Sequence, residues 1–181
     1  RFLKTSFCND YPSYFDKDCL DCLMEVSFRH GLSINECEFS KNLIIQSAII
    51  YNPIFSSATS FGDVYLHDVV LKGSAKFKDF KFKGNFNLTY DYSSSKTVIF
   101  NNSVFEKEAK FKGMNLAQND IKANDCLFKD RVHFLGYWQN IDLDKSEFEK
   151  VVYFEESSGG EANSGGKIDV ISLDRTIFHN L

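Results

Sequence analysis

Three stretches of nine residues share one spacing. SVFEKEAKF (103–111), CLFKDRVHF (126–134) and SEFEKVVYF (146–154) each carry Phe at their third and ninth places. Phe105/Phe111, Phe128/Phe134 and Phe148/Phe154 are therefore all six apart. Each stretch opens on a small or modest residue and carries a charged pair between its two rings. Self-similarity of this kind constrains the fold strongly, because a repeating unit has to bury its apolar side against its neighbours.

The beat extends in both directions, through Phe39, Ile44, Ile49, Ile54, Phe61, Leu66, Leu71, Phe77, Phe82, Leu88 and Phe100, and later through Leu116, Ile121, Leu143, Leu173 and Phe178. The step is five, sometimes six, which is neither the helical period nor simple strand alternation. It suits a chain that makes a short extended segment, turns a corner and repeats. Two residues before many of these centres stands a smaller one, such as Cys37, Ser103, Ala109, Cys126, Ser146 or Thr176. Alternation within an extended segment places it on the same inward face.

CEFSK (37–41) and SEFEK (146–150) show the whole unit: small, polar, central Phe, polar, polar. In this the stretch from about residue 37 to the end resembles the pentapeptide-repeat family. The resemblance implies an all-β fold, a right-handed quadrilateral parallel β-helix, or solenoid, with about four units per coil. Threaded on four faces, the centres fall into columns. Face one takes Phe39, Phe61, Phe82, Phe105, Phe128, Phe148 and Leu173, and face two takes Ile44, Leu66, Leu88, Phe111, Phe134, Phe154 and Phe178. Face four takes Ile54, Phe77, Phe100, Ile121, Leu143 and Ile168. Coils rising by one strand spacing, ~4.8 Å, allow the rings of a column to stack with an offset. Phe80, Phe86 and Met114 put bulk in the small slot, so local distortion is expected there.

Residues 1–36 lack the beat and are expected to be a separate capping segment with one helix over Asp16–His30, its stripe Leu20, Leu23 and Met24 and its stop Gly31. A first coil exposes core and strand edge, and this helix would cover both. The chain of 181 residues, 43% apolar with 19 Phe, can fill one solenoid over 37–181. Its net charge of −4 argues for no general affinity for nucleic acid. No apolar run reaches the ~20 residues of a membrane span, although Leu181 falls partway round a coil and some relatives carry membrane segments beyond such repeats. No secretory signal is visible, and the expected location is cytoplasmic.

Two stretches interrupt the beat, YDYSSSKT (90–97) and SSGGEANSGG (157–166), and both read as loops. The threading brings both out on the side of face three, where Tyr137 and the single Trp, Trp138, also fall. Tyr90, Tyr92, Tyr137 and Trp138 are thus the candidate binding residues, since aromatics dominate hot spots. The competing reading makes Trp138 the core residue of face three.

Cys37 and Cys126 occupy inward small slots and read as packing groups. Cys8, Cys19, Cys22 and His30 make a candidate Cys₃His zinc set, with Cys19 and Cys22 at ligand spacing; a disulfide or plain packing fits them too. His67, His133 and His179 flank face-two centres and read as solvated. No nucleophile, phosphate loop or dinucleotide motif is present in the sequence, so enzymatic activity and a resident cofactor other than zinc are not expected. Along face one the outward charges alternate between coils: Glu106, Lys129, Glu149, and beside them Lys107, Asp130, Lys150. Such alternation favours pairing across strands over a long-range field. The expected role is therefore a protein-binding or scaffold module. A DNA-mimicking topoisomerase-binding protein, which needs dense negative columns, and a zinc-bearing regulatory cap on the same solenoid are the alternatives.

Overall fold

The computed structural model describes residues 21–24, 27–28, 32–90, 97–113, 120–155 and 168–179. They form a parallel β-solenoid, with no helix among them. Each turn of the chain visits a first, a second and a third sheet in succession. The first consists of Asp21–Met24, Leu43–Gln46, Val64–Lys72, Phe86–Tyr90, Ala109–Gly113, Val132–Gly136 and Val152–Glu155. The second runs Ser33–Asn35, Ile54–Ser56, Ala75–Lys78, Thr97–Asn101, Asp120–Asn124, Trp138–Asp142 and Ile168–Ser172. The third is built of two-residue strands, Glu38–Phe39, Thr59–Ser60, Lys81–Phe82, Val104–Phe105, Leu127–Phe128, Glu147–Phe148 and Ile177–Phe178. Every strand pairing is parallel and joins one turn to the next, as in Phe82↔Phe105, Phe105↔Phe128 and Phe128↔Phe148. A short fourth ladder of Ser27–Phe28, Ile49–Tyr51 and Val70–Lys72 lies between the first and second sheets in the early turns.

The helix expected over Asp16–His30 is not what this segment forms where it is described. Asp21–Met24 pairs with Leu43–Gln46, and Ser27–Phe28 pairs with Ile49–Ile50. The stripe Leu20, Leu23, Met24 suits a helix by spacing, but a neighbouring strand edge offers every backbone group a partner, and that tertiary pairing outweighs the local preference.

Corners explain how a five-residue step closes. Between the second and third sheets each turn places one residue in the left-handed region: Glu36, Ser57, Asp79, Asn102, Asp125, Lys145 and Arg175, with φ between 51° and 59°. Such a residue costs about 1–2 kcal/mol unless it is Gly, with Asn and Asp best tolerated. What offsets this is a fixed hydrogen bond. At every one of these corners but Arg175 the corner N–H donates to a carbonyl of the next turn, as from Glu36 to Ser56 at 3.0 Å, Asp79 to Asn101 at 3.0 Å and Lys145 to Asp174 at 2.8 Å.

Inside, rings stack turn on turn. In the third sheet Phe82, Phe105, Phe128 and Phe148 are spaced at 4.6, 4.5 and 4.7 Å with ring planes within 15° of parallel. In the second, Phe55, Phe77 and Phe100 stack at 4.7 and 4.9 Å, and in the first Phe111 stacks on Phe134 at 5.2 Å, with Phe154, expected in the core, exposed at the end of that column at 5.3 Å. The columns meet edge to face in the middle, as Phe86 meets Phe100 at 5.4 Å and 88°. Stacking within columns and edge contacts between them satisfy the aromatic quadrupole in both directions.

Several threading assignments are corrected. Phe61 is exposed, and Ser60 takes its place opposite Phe39 and Phe82. The ring missing at Ser60 is supplied by Phe80, which stacks on Phe82 at 4.2 Å and faces Phe39 at 6.5 Å. Its bulk in a small slot therefore fills a gap and leaves the third-sheet pairing on either side in register. Ile45 and Phe55, not Ile44 and Ile54, point into the core. Phe178 continues the column of Phe148, where Leu173 was expected. Ile121 lines up with Val98 and Ile141, while Ala123 stands next to Phe100. Phe86 is fully buried, and the pairing slips only beyond it, between Leu88 and Tyr90. Met114 lies outside the described residues.

Candidate functional site

The passage from the first sheet to the second varies in length, from 9 residues between Val132 and Ile141 to 19 between their register partners Val152 and Ile171. Residues 91–96, 114–119 and 156–167, none of them described, each lie in chain order between a first-sheet strand and a second-sheet strand. Elsewhere the passage is made by the fourth ladder or, at Val132–Gly136, by the direct step through Tyr137 to Trp138. That step is tight. Gly136 has φ +81°, and a Cβ there would lie 2.1 Å from the Gly113 carbonyl oxygen, while one on Gly113 would lie 2.1 Å from that of Tyr137. Only glycines allow the two turns to approach so closely.

This corner separates the two candidate aromatics. Trp138 is fully buried, edge-on to Phe134 at 6.4 Å, and its indole N–H donates to the Leu135 carbonyl at 3.1 Å. It fills the interior of the turn where the first and second sheets are joined most directly and is not a surface anchor. Tyr137 is half-buried, and its hydroxyl donates to Asp169 at 3.0 Å, so it tethers the next turn and still shows one edge. Tyr90 closes the strand Phe86–Tyr90, and Tyr92 lies outside the described residues.

Of the candidate zinc ligands, Cys8, Cys19 and His30 lie outside the described residues, and Cys22 is in the strand Asp21–Met24, in register with Ile44. No group of three or more His, Cys, Asp or Glu among the described residues is placed to hold a metal ion. Cys126 is buried in its slot, its thiol near the carbonyls of Phe100 and Asn124, and burial pushes its pKa up to about 12. Cys37 is half-buried in the same column.

The histidines do not share a surface: His67 and His133 lie on the first sheet and His179 at the turn after the third. His133 belongs to a charged cluster that spacing alone does not reveal. Glu108 is 2.7 Å from Lys110, 3.5 Å from Arg131 and 3.2 Å from His133, and His133 is 3.1 Å from Glu155. The Lys110 hydrogen bond, with Arg131 and His133 adding their charge, holds the Glu108 carboxyl below the usual carboxylate range. Lys81 does the same for Glu106 at 3.0 Å. Phe61, displaced from the core, lies under Lys83 at 3.8 Å, a cation–π contact.

These features define a parallel β-solenoid in which one passage varies in length from turn to turn. No family model matches the chain, and no match is found among curated proteins or solved structures. Among the described residues no helix is long and apolar enough to cross a membrane.

Proposed function

We propose that the chain is a non-enzymatic protein-binding scaffold of the pentapeptide-repeat kind, wound as a right-handed, four-sided solenoid, whose partner engages the passage from the first sheet to the second. The observation that carries this reading is that the length of a turn varies only in that passage: by register Val64 to Ala75, Phe86 to Val98, Ala109 to Ile121, Val132 to Ile141 and Val152 to Ile171 are 11, 12, 12, 9 and 19 residues apart, while the return to the first sheet takes 11 each time. Insertions in a solenoid gather on the side used for binding, because the opposite sides are held by rung-to-rung pairing. Turns of 20 to 23 residues support the four-sided winding: Leu43↔Val64, Val64↔Phe86, Phe86↔Ala109, Ala109↔Val132 and Val132↔Val152 are 21, 22, 23, 23 and 20 apart. Half-exposed Tyr137, fixed by Asp169, is the described aromatic best placed for contact.

The test is photo-crosslinking. A crosslinker at position 137 captures a partner that one at Lys122, outward on the second sheet, does not. Equal capture from both positions, or none, counts against the assignment. The DNA-mimic alternative gains no support from the surface, where Lys83, Glu106, Lys129 and Glu149 follow one another beside the third sheet with alternating sign. Three of the four residues of the zinc-bearing cap, Cys8, Cys19 and His30, lie outside the described set, and elemental analysis of the purified protein decides it.

A further inference from the structure

His133 sits on the outer face of the first sheet with a carboxylate against each ring nitrogen. Nδ1 is 3.1 Å from Glu155 Oε1 and Nε2 is 3.2 Å from Glu108 Oε1, and the side chain is 16% exposed. The Nε2 atom is closed to solvent, and its approach to Glu108 is an ion-pair contact off the line of a hydrogen bond. A neutral imidazole has one N–H and one lone pair. In either neutral tautomer a ring lone pair therefore faces a carboxylate oxygen, and at Nε2 no water can intervene. Only the doubly protonated ring donates from Nδ1 to Glu155 while setting a positive charge against both carboxylates. Its face also lies on Tyr153, centroids 4.6 Å apart and planes within 14°, which favours a cation over the ring.

We propose that His133 is a proton-operated clasp on the edge strand Val152–Glu155, closed when the imidazole carries its second proton and open when it does not. The contacts span three successive turns: Glu108 before the strand Ala109–Gly113, His133 on Val132–Gly136, and Glu155 on Val152–Glu155. The last of these ends the first sheet among the described residues and is paired on one side only, to Val132–Leu135. A side-chain tie therefore matters more there than within the sheet.

The charged groups facing the ring are of both signs. Lys110, its register partner on the preceding turn, and Arg131 oppose the imidazolium, but both are engaged by Glu108. Glu155 brings a carboxylate from the following turn, so it is the partner to remove. The clasp needs ionised carboxylates as well as a protonated ring, so it closes within a window and opens on the alkaline side as the ring loses its proton.

Hydrogen exchange of the Val152–Glu155 amides, corrected for intrinsic rates, tests this in the intact chain at about pH 5.5 and about pH 8.5. Protection falls roughly tenfold at the higher pH in the parent, the worth of one charge-assisted hydrogen bond. In His133→Gln and Glu155→Gln it is low at both. Parent protection that does not change with pH overturns the proposal, as does a pH dependence that survives in both variants. Protection of Val104–Phe105, remote from the cluster, serves as the folding control and stays constant.

Discussion

At Ser60 the third sheet has a hydroxyl where six other turns carry Phe, and Phe80 leans in from the next turn to occupy the space. Phe80→Ala empties a fully packed site and is expected to cost about 3–5 kcal/mol. Ser60→Phe alone crowds two rings into one place, at about 1–3 kcal/mol. Combined, the two substitutions restore the regular column, so the double variant is more stable than the sum of the single effects predicts. Urea unfolding of the four proteins measures this, and simple additivity would show that Phe80 does not fill the Ser60 gap. Cys126 offers a second residue-scale check. With its thiol pushed up to about 12 and enclosed, it reacts with a disulfide reagent only as fast as the chain unfolds. Rapid labelling of Cys126 in the native protein, located by peptide mapping, would contradict its burial.

Within a rung, the five-residue beat was legible from the spacing of Phe and its small companions, and the parallel ladders follow from it. Which of two adjacent residues points inward was not. Ile44/Ile45, Ile54/Phe55 and Ser60/Phe61 each satisfy the spacing either way, and only pairing with the next turn decides. The corners were equally hidden, since Glu36, Ser57, Lys145 and Arg175 do not announce a left-handed turn. At the first three the conformation is imposed by the hydrogen bond to the next turn. Lys145→Gly should therefore leave the corner intact and raise stability by about 0.5 kcal/mol, the relief of strain being partly offset by the freer unfolded chain. A β-branched residue at Asp125 should lower it by about 1–2 kcal/mol. Thermal unfolding of both variants checks the pair, and a loss in Lys145→Gly would mean that its side chain, not its backbone, holds the corner. For the candidate site, the loops read from Gly/Ser composition at 90–97 and 157–166 lie outside the described residues, apart from Tyr90 and Thr97, which belong to strands. The cluster at Glu108, His133 and Glu155 could not be read, because turns of 20 and 23 residues bring these side chains together with no fixed interval between them.

The molecule as a whole is held by rungs that differ in charge, and this sets its response to acid. Lys81 beside Glu106, and Lys110 with Arg131 and His133 around Glu108, hold both carboxyls below the usual range in the folded chain. The unfolded chain loses these partners and its carboxyls return to their ordinary affinity for protons. Unfolding in acid therefore takes up protons, and by linkage stability is full above the unfolded carboxylate pKa, about 4.3, and declines as pH falls through the lowered folded values. The side chains are 27% and 21% exposed, so salt screens part of the effect. Urea unfolding from about pH 6 to about pH 3 is expected to show a steep loss in the parent and a shallower one in Glu106→Gln/Glu108→Gln, with added salt bringing the two curves together. Parallel curves at low salt would mean that these carboxylates are as free in the solenoid as in the unfolded chain.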